Sequence, residues 1–229
     1  MNPLLMHVTA DSLHVRDAPK RGGESLGFVS RGLTVTVSKI DDTGMWAEVN
    51  ADGVHGWCSL KYLLPSGGDR APWLATAHHE IGVKEVPGDS YHPRIYEYMA
   101  TVNKLSESEK KNDDGTAWCS CFVNWCVEKN GHNGTDDAMA RSWEKWRNGK
   151  PADSVKPGSD TAALVGDIAV GERESSASGK GHVAFFIAYD EKRDLLLLLG
   201  GNQSNAVRYS WYPRESTDPY GRLLTLRSL

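Results

Sequence analysis

The feature that most constrains the fold is a segment rich in proline and glycine, through which neither a helix nor a strand continues easily. It reads Pro-Ser-Gly-Gly-Asp-Arg-Ala-Pro over residues 65–72. Two prolines and two glycines in so short a stretch are typical of a connection between folded units. A chain of 229 residues is long enough for two small domains. We therefore predict one domain at residues 1–65, a linker at 66–72 and a second domain at 73–229.

The segment before the linker consists of short β-type runs separated by Gly, Asp and Asn turns. In the clearest run, Thr34–Ile40, apolar and polar residues alternate as in a half-buried strand. Further runs lie at 13–15, 27–29, 46–49 and 56–59. About sixty residues of short strands predict a small all-β barrel with a thin core. Cys58 falls at a strand position that we expect to be buried in that core.

The segment after the linker begins with helical patterns and ends with strand patterns. The predicted helices are Pro72–Ile81, Tyr91–Val102, Trp118–Asn130 and Ser142–Arg147. The predicted strands are 167–171, 182–189, 195–200, 207–212 and 223–226. Helices followed by an antiparallel sheet are the pattern of an α+β domain.

The charge balance and the apolar pattern limit the partners. The formal net charge is −4, so the chain has no excess of cations to neutralise many phosphates, and nucleic acid is not expected as a partner. No apolar stretch approaches the roughly 20 residues that span a bilayer, so no transmembrane segment is expected. The N-terminal residues MNPLLMHVTADS lack the basic and apolar regions of a standard secretory signal peptide.

Three of the four cysteines, Cys119, Cys121 and Cys126, lie in the third predicted helix, and Cys119 lies at its N-terminus. Cys119 and Cys126 fall on nearly the same helix face but about 10 Å apart along the axis. They cannot share a zinc ion, whose thiolate ligands lie at about 2.3 Å, and they cannot easily form a disulfide. We therefore expect no metal and no cofactor.

The remaining interpretations are a set of small buried side chains or a nucleophile. Free cysteine is often buried, and we expect this for Cys126. Cys119 differs because the N-terminus of a helix favours a thiolate and lowers its pKa. The same N–H groups can bind the oxyanion that forms when an amide carbonyl is attacked. We predict that Cys119 is the nucleophile.

A thiol nucleophile needs a base, and eight histidines are candidates. His182 leaves the Gly- and Ser-rich loop 174–181 and begins an apolar strand, which would hold an imidazole firmly. The residues alone leave the other seven open: His7, His14, His55, His78, His79, His92 and His132.

Asn202 is the candidate for the group that orients the imidazole. It follows the strand at 195–200, and it would return to His182 if the two strands pair. Ordinary turn chemistry explains the sequence Gly-Gly-Asn equally well, so both interpretations stay open.

The first domain resembles the bacterial SH3-like family. The resemblance rests on Leu-His-Val-Arg-Asp-Ala-Pro from residue 13, Gly-Leu-Thr-Val-Thr-Val from residue 32, and Gly-Trp-Cys-Ser-Leu-Lys-Tyr-Leu from residue 56. It implies a non-catalytic domain that binds wall peptides or another ligand. A purely structural barrel is the alternative.

The second domain resembles the CHAP family, cysteine- and histidine-dependent amidohydrolases and peptidases related to NlpC-type wall hydrolases and, distantly, to papain. The resemblance spans residues 72–227. It rests on five motifs: Ala-Trp-Cys-Ser-Cys-Phe-Val-Asn-Trp-Cys from residue 117, Ala-Arg-Ser-Trp from 140, Gly-Asp-Ile-Ala-Val from 166, Gly-His-Val-Ala-Phe-Phe from 181 and Leu-Gly-Gly-Asn-Gln from 199.

The resemblance implies that Cys119 is the nucleophile, His182 the general base and Asn202 the third member. Some relatives carry Glu two residues before that Asn, where this chain has Gly200. Some also bind calcium ahead of the cysteine, but Asp113-Asp-Gly lacks the expected series of calcium ligands, so an Asp here is as well suited to cap the following helix.

The resulting expectation is a monomeric hydrolase that cleaves amide bonds in peptidoglycan, as an amidase or an endopeptidase acting on stem peptides. A protease of proteins and a non-catalytic wall-binding protein are the alternatives. Without a standard signal peptide, the protein is expected to be made in the cytoplasm. It would act in the periplasm or cell wall after release as a phage lysin or injection as a secreted antibacterial effector. An effector would have an immunity protein as partner.

Overall fold

The computed structural model describes residues 4–51, 53–88, 90–174, 176–215 and 221–229. Its first half is a seven-stranded sheet in the order β3-β2-β6-β5-β4-β1-β7, with antiparallel pairing throughout the described strands. The strands are β1 Leu4–Val8, β2 Ser12–Arg16, β3 Ser25–Ser30, β4 Thr34–Ile40, β5 Trp46–Ala51, β6 Val54–Ser59 and β7 Leu63–Pro65.

The observed strands agree with the sequence pattern where alternation is strong. The bounds of β4 are those predicted, with Val35 and Val37 buried and the threonines on either side of Val35 exposed. Cys58 is fully buried, as predicted, and burial raises its pKa to about 12. The sequence did not predict β1 and β7, which pair with each other. Pro65 ends β7 at the edge of the sheet, where a residue without an N–H is tolerated.

In the residues that the structure describes, the second half contains four α-helices and a six-stranded antiparallel sheet in the order β12-β11-β10-β9-β13-β8. The helices are α1 Pro72–His79, α2 Pro93–Met99, α3 Glu107–Lys110 and α4 Cys119–Glu128. The strands are β8 Asn148–Pro151, β9 Ile168–Glu172, β10 Gly181–Asp190, β11 Leu195–Gly200, β12 Arg208–Pro213 and β13 Leu223–Ser228.

This half confirms the predicted α+β arrangement, with local differences. The helix predicted at Ser142–Arg147 is a 3₁₀ turn at Ala140–Lys145, and β8 and α3 were not predicted. The predicted linker contains a 3₁₀ turn at Gly68–Arg70, and Pro72 begins α1. Of the loop predicted before His182, Ser175 lies outside the described residues.

The sheet has an apolar core on each face. Val183, Phe185 and Leu199 belong to the large core that includes α4, whereas Ala184 and Phe186 belong to a smaller core on the other face. Every residue of α4 except Glu128 is buried. The helix is thus held along its length against β10 and β11.

The two halves pack directly on each other. His78 of α1 lies between them: its Nδ1 is 3.1 Å from the carbonyl oxygen of Leu60, and its Nε2 is 2.8 Å from the hydroxyl of Tyr209. The backbone N–H of Tyr209 also donates to the carbonyl of Gly44. Gly44 has a positive φ of 66°, and a Cβ there would lie 2.0 Å from the Tyr209 carbonyl oxygen. Glycine therefore permits this approach.

Helices in the described part of the chain are short, and none is long and apolar enough to cross a membrane.

Candidate active site

Cys119 is the first residue of α4, as predicted. Trp118 precedes it as N-cap residue and makes no side-chain capping bond. The backbone N–H groups of Val183 on β10, of Ser120 and of Cys119 itself act to lower the pKa of the thiol. The start of β10, where Val183 directly follows His182, therefore influences the nucleophile candidate.

The start of α4 is anchored by polar contacts in its first turns. Ser120 Oγ donates to the carbonyl of Asp137 at 2.6 Å and accepts from Trp143 Nε1 at 2.9 Å. Asn124 Nδ2 donates to the carbonyl of Ser120, and its Oδ1 accepts from the Thr135 backbone N–H at 2.6 Å. These bonds explain why Ala-Arg-Ser-Trp accompanies the cysteine motif, because Trp143 fixes the residue next to Cys119.

His182 lies at the start of β10, opposite Gly171 of β9, and is 6% exposed. Its Nε2 lies 3.0 Å from Oε1 of Gln203. A carbonyl oxygen can only accept, so Nε2 of a neutral imidazole must carry the proton. Nδ1 then keeps its lone pair and is the atom able to take a proton from a thiol.

Gln203 is itself fixed, because its Nε2 donates to the carbonyls of Arg208 at 2.5 Å and Leu198 at 3.4 Å. Asn202, the residue before Gln203, has different hydrogen-bond partners. With its amide oriented to satisfy both atoms, Asn202 accepts from the Trp118 backbone N–H at 3.2 Å and donates to Glu85 Oε1 at 3.3 Å. The side chain that contacts the His182 ring is thus Gln203. Asn202 instead contacts the residue preceding Cys119.

The structure explains why position 200 is occupied by glycine. A Cβ at this position would lie 2.7 Å from the Cβ of Ala184 and 3.2 Å from Oε1 of Gln203. A larger side chain would collide with the strand that carries His182 and with the amide that holds it. Gln203 fills the space that Gly200 leaves open.

Two further residues, Tyr212 and Arg173, which the sequence analysis did not identify, also act on His182. The ring of Tyr212 stacks on the His182 imidazole, with centroids 5.2 Å apart and an interplanar angle of 26°. Arg173 is hydrogen-bonded to Tyr212, and its charge acts on both Cys119 and His182. A cavity of about 30 Å³ borders His182 and Tyr212, which is room for a water molecule.

The thiol has the opposite pKa shift from the one the helix terminus predicts. Burial raises the pKa of Cys119, while the N–H of Val183 and the charge of Arg173 oppose that rise. Burial lowers the pKa of His182 to about 4; the charge of Arg173 adds to this effect and the bond to Gln203 opposes it. Both side chains are therefore neutral near pH 7, and a preformed thiolate–imidazolium pair is not favoured. The expected low thiol pKa is wrong because desolvation outweighs the helix dipole.

The other histidines lie away from this cluster or have separate roles. His78 is buried between the two halves, and His92 caps α2 by accepting from the Arg94 backbone N–H. His132 packs edge-on against Trp73. His7, His14 and His55 belong to the first sheet, and His79 is exposed on α1.

The segment before α4 contains a buried carboxylate, that of Asp113. Asp113 is fully buried; its Oδ2 accepts from the His92 backbone N–H at 2.7 Å, and Oδ1 has no hydrogen-bond partner within the described ranges. Its charge and that of Asp114 help to raise the pKa of Glu85, although burial is the main cause. In the described residues, no three His, Cys, Asp or Glu side chains are placed to hold a metal ion.

Comparison with protein families identifies both halves of the chain. Residues 11–63 match the bacterial SH3 domain, and residues 111–202 match the CHAP domain. The second match includes Cys119, His182 and Asn202 and ends one residue before Gln203. The chain therefore has an SH3-like domain followed by a CHAP domain. No curated protein matches it significantly.

Solved structures show weaker likenesses. NlpC2 from Trichomonas vaginalis is 13% identical with a TM-score of 0.37, over 98% of this chain and 71% of that one. An NlpC/P60 family protein from Bacillus cereus is 13% identical with a TM-score of 0.36, over 99% and 63%. An NlpC/P60 endopeptidase from Photobacterium damselae subsp. piscicida is 9% identical with a TM-score of 0.29, over 97% and 65%. The domain assignment rests on the family matches, not on these scores.

Proposed function

We propose that this chain, with its CHAP domain behind a bacterial SH3 domain, is a cysteine hydrolase that cleaves amide bonds in peptidoglycan. The CHAP match supports a peptidoglycan hydrolase family. The observation that supports the assignment of residues is that the N–H of Val183, the residue after His182, lowers the pKa of the Cys119 thiol, while Nε2 of His182 is bound by Gln203.

In the proposed reaction, His182 Nδ1 takes the thiol proton as Cys119 Sγ attacks the amide carbonyl carbon. The negative charge on the carbonyl oxygen is stabilised by N–H groups at the start of α4. The C–N bond then breaks, and the imidazolium donates its proton to the leaving amine. Water, deprotonated by His182, hydrolyses the thioester and releases Cys119 as thiol. Because thiol and imidazole start neutral, proton transfer accompanies attack instead of preceding it.

The test uses purified sacculi and three proteins: the wild type, Cys119→Ala and Cys121→Ala. Cys121 lies on the same helix, is fully buried, and is the matched control for loss of a thiol. We expect Cys119→Ala to keep its melting temperature and to release no fragments, and Cys121→Ala to remain active. Lysis by Cys119→Ala at the wild-type rate would rule out the assigned nucleophile.

The same digests distinguish the alternatives. Mass spectrometry of the fragments shows whether the bond is that of an amidase or of an endopeptidase. Casein incubated in parallel tests for a protease of proteins, and intact sacculi after long incubation would indicate a wall-binding protein without activity.

We also propose that the protein acts on the wall after release as a phage lysin or injection as an effector. Expression directed to the periplasm should lyse the host, whereas cytoplasmic expression should not. An effector further requires an immunity protein, encoded by the producer, that inhibits digestion of sacculi. Equal survival of the two expression strains would contradict this site of action.

A further inference from the structure

Glu85 is a buried acid with no part in the reaction steps proposed above. It lies between α1 and α2 and is 7% exposed. Its Oε1 accepts from the indole Nε1 of Trp118 at 2.6 Å and from the side-chain amide of Asn202 at 3.3 Å. Asn202 in turn accepts from the backbone N–H of Trp118 at 3.2 Å. The three residues therefore form a closed ring of hydrogen bonds around the residue that precedes Cys119.

The main chain of Glu85 is bound to the turn that carries Gln203. Its N–H donates to the carbonyl of Asn205 at 2.9 Å, and the adjoining residues Lys84 and Ala206 form an antiparallel bridge. Gln203 is the side chain that holds the imidazole of the proposed base. Glu85 thus contacts the support of the base through its backbone and the support of the nucleophile through its side chain.

The peptide unit that leads into α4 is fixed by these contacts and not by a helix cap. Trp118, the N-cap residue, makes no side-chain capping bond, and its indole has a single donor, which Glu85 accepts. The turn also packs closely on it: a Cβ at Gly201 would lie 2.6 Å from the Trp118 ring and 2.7 Å from the Cβ of Phe122. Any movement of Glu85 or of the turn would therefore displace the start of α4.

We propose that Glu85 is a positioning residue for the reaction, which together with Asn202 holds the Trp118–Cys119 peptide unit so that the N–H groups at the start of α4 face the oxyanion. This inference rests on the proposed function, because the oxyanion forms only if Cys119 attacks an amide. Donors stabilise a transition state when they are already aimed at the oxygen that gains charge. Asn202 accordingly acts beside the nucleophile, whereas Gln203 acts on the base.

The test compares two neutral variants of the same residue, Glu85→Gln and Glu85→Ala. Both side-chain bonds of Glu85 end on one oxygen, so glutamine keeps them while it removes the charge, and alanine removes the bonds as well. The difference between the two variants therefore isolates the hydrogen bonds. Asp190→Ala is the matched control, because Asp190 is a buried acid bound by Arg193 at the end of β10 that lies opposite to His182.

The first measurement is kcat and KM for cleavage of soluble muropeptides prepared from sacculi, at a temperature where circular dichroism shows each variant folded. We expect Glu85→Ala to lower kcat at least about 30-fold and to leave KM within about threefold, since the oxyanion exists in the transition state and not in the bound substrate. Glu85→Gln and Asp190→Ala should stay within about threefold of the wild type in both constants. A wild-type kcat in Glu85→Ala, or an equal loss in Glu85→Gln, would overturn the inference.

The second measurement needs no substrate. Hydrogen exchange of residues 116–122, read by mass spectrometry, should be at least about tenfold faster in Glu85→Ala and unchanged in Glu85→Gln and Asp190→Ala. Equal exchange in all of these proteins would show that Glu85 does not hold this peptide unit. If Glu85→Ala does not fold, Asn202→Ala opens the same ring from the other side and should give the same loss of kcat; a wild-type kcat there would count against the inference.

The two measurements also separate this inference from the proposed function. Intact muropeptides after incubation with the wild type would contradict the function, while the exchange rates would still decide whether Glu85 holds the start of α4. Cleavage by the wild type and by Glu85→Ala at the same kcat would leave the function standing and remove the positioning role.

Discussion

The imidazole of His182 is held by Gln203, with 3.0 Å between Nε2 and Oε1, and this contact leaves Nδ1 as the ring nitrogen with a free lone pair. Gln203→Ala should lower kcat/KM about 100-fold, because the ring loses its orienting bond. Gln203→Glu should move the acid limb of the pH profile to higher pH, since a carboxylate favours the protonated ring. Asn202→Ala is the control that should leave the acid limb in place. A shifted limb in Asn202→Ala instead of the Gln203 variants would contradict the assignment.

Arg173 should influence the pH dependence of kcat/KM although it is not one of the two proposed reacting residues, Cys119 and His182. Its charge lowers the pKa of His182 and of Cys119. Arg173→Gln removes that charge, so His182 remains protonated to higher pH and the acid limb of the kcat/KM profile should move to higher pH. Arg173→Lys keeps the charge and should stay close to the wild type. Superimposable profiles for wild type and Arg173→Gln would show that the charge does not reach the base.

The two buried histidines predict a loss of stability in mild acid. Burial lowers the pKa of both His78 and His182 to about 4, from an ordinary value of 6.5. Between these values the unfolded chain binds more protons, so the free energy of unfolding is greatest above pH 6.5 and falls as the pH drops towards 4. Each histidine contributes on the order of 3 kcal/mol to that loss.

Urea unfolding at several pH values between 7.5 and 4.5 measures this slope. His78→Gln should reduce the slope by about half, because one of two titrating groups is removed. His79→Gln, at the exposed neighbouring position, should retain the wild-type slope. Identical slopes in all three proteins would exclude His78 as a source of the pH dependence.

Gly44 should be essential for docking the two domains. Gly44→Ala combines a positive φ with a Cβ 2.0 Å from the Tyr209 carbonyl oxygen. Gly32→Ala is the matched control, since φ is 83° there and no atom lies within 4 Å of the added Cβ. The backbone strain alone costs about 1–2 kcal/mol in either variant. Gly44→Ala should therefore lower the melting temperature more and speed proteolysis of the 66–72 segment; equal behaviour would show that the contact is dispensable.

Local pattern predicted most of the fold and singled out Cys119, whereas His182 was selected from eight histidines only by the family resemblance. The alternation in β4 and the apolar runs of β10 and β11 predicted the bounds of these three strands to within a residue or two. The sequence pattern did not predict β1, because this five-residue strand is stabilised by pairing with β4 and β7 and not by its local sequence. The roles of Cys119 and His182 remain predictions that their placement supports.

The remaining parts of the site depend on contacts that local sequence does not encode. Asn202, Ser204 and Asn205 all have positive φ, so the turn reverses sharply and directs Gln203 towards His182. Turn composition alone cannot distinguish two adjacent amides. The contribution of Arg173 depends on pairing of β9 with β10, and the raised pKa of Cys119 on burial, both of which are tertiary effects.

Burial of the Cys119 sulfur should protect the thiol from oxidation where no reducing agent is present. Peroxide and related oxidants attack thiolates that are exposed to solvent. Cys119 is 5% exposed, and its raised pKa keeps the proton on sulfur. The Cys119 thiol is thus held in a form that resists conversion to sulfenic acid; under the proposed function, it would react only when a bound amide is attacked and the proton passes to His182.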